Sequence, residues 1–339
     1  MDNKLNAYVP PLPRYEKPAP PEAPQGSSWL FRIVLIVMSI AGFALFAANT
    51  VFSFFSSPVG NAIGLAFTIL YAVIAIWLIR RSPMYPKHTP GSFRFWWAVA
   101  CLLWGGGAGL VFSLVVGTPV TELTQRSGWE DSLFSWGGAY PEEIGKALGV
   151  AVILFSFKHL TRPWHGAVTG LMIGLGFETS ENIGYGGMGA MMDPNSDVMG
   201  SLASWGGRMV AGVGLHMITT AIAGWGIGWA VFALRRSLGS RIAGALGCFL
   251  IGFAIHFAWN YTIDNPIAMI VKSVTVALVM YAALFVLITR GNEAARREQH
   301  GPCTPRSISA DGAPQPAAGY SPYTRSNVAE TSAATSATD

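Results

Sequence analysis

Long runs of apolar residues, separated by short polar segments, make up most of this chain. A helix needs about 20 residues to cross the hydrocarbon core of a bilayer, and the runs have about this length. The pattern therefore predicts an all-α polytopic membrane protein with about eight transmembrane helices. The predicted spans are residues 29–55, 60–79, 95–116, 141–157, 166–185, 207–233, 242–262 and 267–289.

Two polar segments flank these spans. Residues 1–28 are rich in proline and polar side chains, so they are predicted to be disordered. Residues 291–339 are rich in Ser, Thr, Ala and Pro and are predicted to form a second disordered segment. The transmembrane domain is therefore expected to cover residues 29–290.

The positions of the basic residues predict the orientation of the chain. With eight spans, alternate loops share one side of the membrane, and one side then collects most of the Lys and Arg residues. The positive-inside rule places this side, with both termini, in the cytoplasm of a multi-pass plasma-membrane protein. The basic residues on this side are Lys4, Arg14, Lys17, Arg80, Arg81, Lys87, Arg94, Lys158, Arg162, Arg235, Arg236, Arg241, Arg290, Arg296 and Arg297.

The composition agrees with a membrane protein. Only 12% of the residues are charged, compared with about 25% in soluble domains, and the mean hydropathy is +0.41. The basic residues lie in loops between apolar runs, so the net charge of +4 does not indicate binding to nucleic acid. The three cysteines, Cys101, Cys248 and Cys303, are too few for a disulfide framework and are predicted to be free thiols.

Polar or ionisable side chains interrupt four of the predicted spans. A carboxylate at the centre of a membrane helix costs roughly 2.5–3.5 kcal/mol by insertion scales, so its presence indicates a functional site. The predicted topology brings these side chains to one depth, toward the extracytoplasmic face. The residues concerned are Glu142 and Glu143 of span four, Glu178 and Glu181 of span five, His216 of span six, and His256 and Asn260 of span seven.

Helical spacing groups these residues further. Glu142 and Glu143 follow Pro141 at a helix start and precede Lys146 by one turn, which favours an ion pair. Amide hydrolysis needs a base for water, donors for an oxyanion and a proton for the leaving amine, and Glu, His and Asn supply these functions. The sequence contains no G-x-S-x-G motif that would indicate a serine nucleophile. Gly166, Gly170 and Gly174 form a small-residue face that predicts close packing of span five.

Four motifs taken together resemble the PrsW family of intramembrane proteases, which is similar to the CAAX prenyl endopeptidases. The resemblance covers residues from about 140 to 262, where the catalytic helices of a protease domain are then expected. It implies cleavage of a membrane-anchored protein, an anti-sigma factor in the best-known members, on its extracytoplasmic side. The motifs are Glu142-Glu143-x-x-Lys146, Phe177-x-x-x-Glu181-Asn182, His216 and His256-x-x-x-Asn260.

The resemblance also implies roles for these residues. Glu142 or Glu143 would activate water, and His256 with Asn260 would hold the oxyanion. Glu181 and His216 would complete the pocket, although the CAAX relatives have histidine in the place of Glu181. The supporting residues would be Lys146, Phe177, Glu178 and Asn182.

A zinc site remains an alternative at this stage. His216, His256 and one carboxylate, such as Glu181, would form a three-ligand site with an open position. The sequence lacks the H-E-x-x-H motif, so we expect glutamate-type chemistry without a cofactor.

Two other functional classes also remain open. A proton- or cation-coupled transporter uses intramembrane Glu and His residues, but the two halves of this chain show no matching broken helices. A non-catalytic binding or immunity protein would keep the fold without activity, and the intact motifs argue against it.

Overall fold

The computed structural model describes residues 29–232 and 237–298, and this part of the chain consists of helices and short connections, without strands. The third helix contains two π-helical turns, Trp104–Ala108 and Ser113–Gly117. A further π-helical turn, Ser135–Ala139, leads into the fourth helix. The helices are α1 Trp29–Ser56, α2 Pro58–Arg81, α3 Gly91–Arg126, α4 Tyr140–Ser156, α5 Pro163–Met192, α6 Asp197–Ala211, α7 Leu215–Phe232, α8 Leu238–Asn260 and α9 Pro266–Glu298.

Six helices in the described part of the chain are long and apolar enough to cross a membrane, namely α1, α2, α3, α7, α8 and α9. The predicted all-α polytopic membrane fold is therefore confirmed. The predicted spans four and five correspond to α4 and α5, which do not meet this criterion. Helix α5 is buried along most of its length, so its polar residues face neighbouring helices rather than lipid.

The predicted span six is not one helix. Residues 207–233 divide into the end of α6 and the whole of α7, with a break at residues 212–214. Gly214 has a φ of +76°, a conformation that L-residues with side chains rarely adopt, and this ends the helical path. His216 is therefore the second residue of α7 rather than a residue in the middle of a helix.

The glycine face of α5 packs against α7, as predicted. A Cβ atom on Gly166 would lie 2.1 Å from the carbonyl oxygen of Gly224, and one on Gly170 would lie 2.3 Å from that of Thr220. A Cβ atom on Gly174 would lie 2.2 Å from the carbonyl oxygen of His216. The two backbones thus approach so closely that only glycine fits, which places Glu178 and Glu181 beside the start of α7.

The ends of the helices form two layers that agree with the predicted alternation of loops. In one layer, the Thr262 amide donates to the Asp131 carbonyl at 2.9 Å, which joins two loops predicted on the same side. In the other, the Ser82 hydroxyl donates to Asn292 Oδ1 at 2.9 Å.

Helix α9 extends beyond the predicted boundary at residue 290. Gly291 lies against Met84, and Glu293 pairs with Arg297 one turn later, so these contacts continue the helix to Glu298. Residues 291–298, which the sequence predicts to be disordered, therefore belong to α9. The remaining residues of the two predicted disordered segments, 1–28 and 299–339, lie outside the described residues.

Candidate active site

The π-helical turn before α4 positions the first glutamate pair. Its first residue, Ser135, donates from Oγ to the carbonyl oxygen of Phe257 on α8 at 2.8 Å. Glu142 and Glu143 follow in the first turn of α4, both buried, and point toward α7 and α8. Short π-helical segments are frequent at functional sites, and this one joins the glutamates to the helix that carries His256.

Lys146 connects the two sides of the site. Its side chain is fully buried, and Nζ donates to Glu143 Oε1 at 2.7 Å and to His216 Nδ1 at 3.0 Å. The ammonium group also lies 4.5 Å from the centre of the Phe177 ring. A buried cation needs compensation of this kind, and the predicted pairing of Lys146 with the glutamates supplies it.

Glu143 accepts three hydrogen bonds at one oxygen. Besides Lys146, Oε1 lies 2.8 Å from His256 Nδ1 and receives the Thr219 hydroxyl at 3.0 Å. The other ring nitrogen of His256, Nε2, lies 3.3 Å from the amide nitrogen of Asn260. The side chain of Glu143 is only 1% exposed, so this carboxylate is enclosed by fixed partners.

His216 lies between Lys146 and Glu181. Because an ammonium group only donates, Nδ1 of His216 accepts from Lys146, and Nε2 carries the hydrogen that is donated to Glu181 Oε2 at 2.8 Å. The same oxygen of Glu181 accepts from Arg208 at 3.0 Å. The guanidinium group of Arg208 stacks 4.0 Å from the ring of Tyr185. Glu181 thus orients His216 from the side opposite Lys146.

Three carboxylates, Glu142, Glu143 and Glu178, have a buried Oε2 atom without a hydrogen-bond partner among the described residues, and that of Glu142 faces both His216 and His256. This oxygen lies 3.8 Å from Lys146 Nζ, 3.9 Å from His216 Nδ1 and 3.8 Å from His256 Nε2. These distances are too long for hydrogen bonds. The three neighbours surround one unsatisfied acceptor.

The same side chains have the character of a metal site. One ligand atom from each of Glu142, His216 and His256 lies within 4.8 Å of the others. In each histidine the other nitrogen faces a carboxylate, Glu143 or Glu181, and metal-binding histidines are typically oriented in this way. The carboxylate of this group is Glu142, whereas the sequence had suggested Glu181. The donor set fits a divalent metal ion such as zinc.

Not every predicted residue lies at this centre. Glu178 accepts from the amide of Gly214 at 2.9 Å, at the break between α6 and α7. Asn182 is fully buried, and no hydrogen bond from its side-chain amide is present within the described residues. Phe177 packs on His216 with ring centres 4.7 Å apart.

Several contributors were not predicted from the sequence, among them Thr219, Gly138 and Arg208, the partner of Glu181. Thr219 occurs in an apolar run, almost one turn after His216. This spacing is the only feature of the sequence that indicates its place in the site. Gly138 lies at the mouth of the site, where an added Cβ would be 3.4 Å from Asn260 Nδ2 and 3.5 Å from Glu142 Oε1.

Comparison with known proteins identifies the family. The model of the PrsW family intramembrane metalloproteases matches residues 94–288, which is more than half of the 339-residue chain. No curated protein matches the chain. No solved structure matches it either. The matched segment begins in α3, ends in α9 and contains every residue of the site described above. The chain therefore belongs to the PrsW family of intramembrane metalloproteases and is a multi-pass membrane peptidase.

Proposed function

We propose that this protein is an endopeptidase that cleaves a membrane-anchored protein near the extracytoplasmic face, with water activated by Glu142. The observation that carries the proposal is the buried, unpartnered Oε2 atom of Glu142, which lies between His216 and His256. A buried carboxylate without a hydrogen-bond donor is a strong acceptor for a proton from water.

The two glutamates have different surroundings, which favours Glu142 as the base. The side chain of Glu142 is 11% exposed and that of Glu143 only 1%, so a water molecule and a substrate reach Glu142 more easily. The Oε1 atom of Glu143 already accepts from Lys146, Thr219 and His256. Glu143 therefore holds the cation and the histidine in place while Glu142 exchanges a proton.

The proposed reaction uses the neighbouring side chains in sequence. Glu142 takes a proton from water as the water oxygen bonds to the carbonyl carbon of the scissile peptide. When the His256 ring enters the reaction protonated on both nitrogens, its Nε2 atom donates to the resulting oxyanion beside Asn260 Nδ2. Glu142 then returns the proton to the amide nitrogen, the C–N bond breaks, and the carboxyl and amine products separate.

Lys146 supports a reaction without a metal ion. Its ammonium group occupies the inner side of the site, 3.0 Å from His216 Nδ1 and 3.8 Å from Glu142 Oε2. This fixed positive charge offsets the charge that accumulates on the carboxylates and the oxyanion. If His216 Nδ1 were to bind a metal ion, Lys146 would have to give up its hydrogen bond to this nitrogen.

A metal-dependent mechanism is the second candidate, favoured by the proximity of Glu142, His216 and His256 and by the family description. These three residues would hold the ion, and Glu143 and Glu181 would orient the two histidines. A bound zinc ion would supply a Lewis acid for the activation of water. Lys146 would then compensate Glu143 alone.

The location of the cleavage follows from the proposed topology. If the basic loops lie in the cytoplasm, the first turn of α4 and the start of α7 lie toward the extracytoplasmic face. A cleft of about 520 Å³ opens beside Tyr185, between the ends of α5 and α6, in the same layer. We assign this cleft to the extended juxtamembrane segment of a single-span substrate. A membrane-anchored anti-sigma factor is the substrate class that the family resemblance suggests.

The purified protein tests both mechanisms together. We would measure cleavage of a panel of single-span membrane proteins in detergent and count bound metal by mass spectrometry for wild type, Glu142→Gln and His256→Ala. Cleavage without stoichiometric metal, unaffected by a chelator and lost in Glu142→Gln, is the expected result. About one zinc ion per chain, removed together with activity by a chelator, would instead establish the metal-dependent mechanism.

A further inference from the structure

The start of α7 depends on contacts from two other helices. His216 is the second residue of this helix, and residues 212–214 before it form the break after α6. Gly214 has a φ of +76°, so this segment has neither a continuous helix nor a side chain at Gly214 to fix it. The orientation of His216 therefore depends on how the break is held, in addition to the bonds of its ring with Lys146 and Glu181.

Glu178, a residue of α5, fixes the break at residues 212–214. Its Oε1 atom accepts the Gly214 amide at 2.9 Å, and the side chain is 1% exposed. This bond satisfies one of the free amide groups at a helix start, where a carboxylate is also favoured by the helix dipole. The same turn of α5 carries Glu181, whose Oε2 atom is 2.8 Å from His216 Nε2.

Tyr281, a residue of α9, fixes the same break from the other side. Its hydroxyl group donates to the carbonyl oxygen of Val213 at 3.0 Å. The peptide group that joins Val213 to Gly214 is thus fixed from two directions, through its oxygen by Tyr281 and through its nitrogen by Glu178. Tyr281 lies outside residues 140–262, where the sequence motifs occur.

We infer that Glu178 and Tyr281 are positioning residues, which fix the 212–214 break and thereby orient His216 toward Glu142 and Lys146. The expected effect on activity rests on the proposed function. The expected effect on the conformation of residues 212–214 does not depend on it. Glu178 acts as a hydrogen-bond acceptor, so its charge is not required. A glutamine side chain supplies the same carbonyl oxygen, and its NH₂ group replaces Oε2, which has no hydrogen-bond partner among the described residues.

Hydrogen exchange of a peptide covering residues 212–216, followed by mass spectrometry, tests the break directly. In Glu178→Ala we expect exchange at Gly214 to rise by about tenfold or more, because a hydrogen bond to a carboxylate is lost. Glu178→Gln should stay close to wild type. Tyr281→Phe should raise exchange to a value between those of wild type and Glu178→Ala. This variant keeps the aromatic ring, so it still tests the inference if Glu178→Ala fails to fold.

Cleavage assays on the same proteins separate this inference from the proposed function. We expect kcat to fall about tenfold in Glu178→Ala with KM nearly unchanged, and to recover in Glu178→Gln. Glu142→Gln should lose activity while exchange at residues 212–216 stays as in wild type. Exchange in both Glu178→Ala and Tyr281→Phe that equals wild type, or Glu178→Gln as defective as Glu178→Ala, would overturn the inference. If the wild-type protein had no measurable activity, this would count against the proposed function. The exchange data would still show whether Glu178 and Tyr281 fix residues 212–214.

Discussion

The Nζ atom of Lys146 lies 2.7 Å from Oε1 of Glu143, and the exposed fractions of the two side chains are 0% and 1%. An ion pair in such surroundings is expensive to form but more expensive to break, because removal of one partner leaves the other charge buried. This relationship distinguishes the two adjacent glutamates. Glu143 forms a direct ion pair with Lys146, whereas the nearest oxygen of Glu142 lies 3.8 Å from the same nitrogen.

The first prediction compares Glu143→Gln with Glu142→Gln. We expect Glu143→Gln to lower the free energy of unfolding by about 3–5 kcal/mol, because Lys146 loses its compensating charge. Glu142→Gln should unfold close to wild type, since its nearest contact with Lys146 is 3.8 Å. Both variants should lose cleavage. Thermal unfolding in one detergent compares them, and an equally large loss of stability in Glu142→Gln would contradict the distinction.

The second prediction concerns the contact between α5 and α7. Gly174→Ala should destabilise the protein by about 1–3 kcal/mol, because the added Cβ would lie 2.2 Å from the carbonyl oxygen of His216. Gly184→Ala is a matched control on the same helix, where no atom lies within 4 Å of the added Cβ. The control should be neutral or stabilising by up to about 1 kcal/mol. Equal melting temperatures for the two variants would contradict the close packing.

The third prediction concerns Lys272 of α9, whose Nζ donates to the carbonyl oxygens of Trp259 and Tyr261 at 2.8 and 2.7 Å. These bonds cap the end of α8, where Asn260 lies, so Lys272→Met should cost about 1–2 kcal/mol and reduce cleavage. Lys272→Arg should retain most of the activity. Thr275→Ala is the control, because that hydroxyl bonds to Val271 within its own helix. Unchanged cleavage in Lys272→Met would show that the cap has no role in the site.

The fourth prediction concerns the mouth of the site at Gly138. An added Cβ would make ordinary contacts with Asn260 and Glu142, so an alanine side chain fits at this position. Gly138→Ala should keep the wild-type melting temperature and reduce kcat/KM by about 10–100-fold, because the methyl group would occupy the space between base and oxyanion donor. Kinetics with a single-span substrate measure this effect. Wild-type kcat/KM in a folded variant would place the substrate elsewhere.

Much of the site was foreseeable from the sequence because ionisable residues are costly in apolar helices. The charge asymmetry placed Glu143, His216 and His256 at one depth, and the structure brings them together through Lys146 and direct hydrogen bonds. The family and the all-α membrane fold are confirmed by the family match and the observed helices. The roles of the individual residues remain predictions.

Other features could not be predicted from the sequence, because a hydropathy pattern averages over neighbouring residues. The break at residues 212–214 lies inside an apolar run, and glycines also occur throughout the intact helices of this chain. Only the positive φ at Gly214 distinguishes that glycine from the packing glycines of α5. The contacts of Tyr281 and Lys272 join α9 to distant segments, and no local pattern indicates such pairings.

The central claim is that Glu142 activates water for peptide hydrolysis near the extracytoplasmic end of the helical bundle. The most direct measurement is mass spectrometry of the fragments that wild type and Glu142→Gln produce from a single-span substrate in proteoliposomes. We predict one cleavage position near the extracytoplasmic end of the substrate helix for wild type, and no fragments for a folded Glu142→Gln protein. Fragments from Glu142→Gln at the wild-type rate, or cleavage at the cytoplasmic end, would contradict the claim.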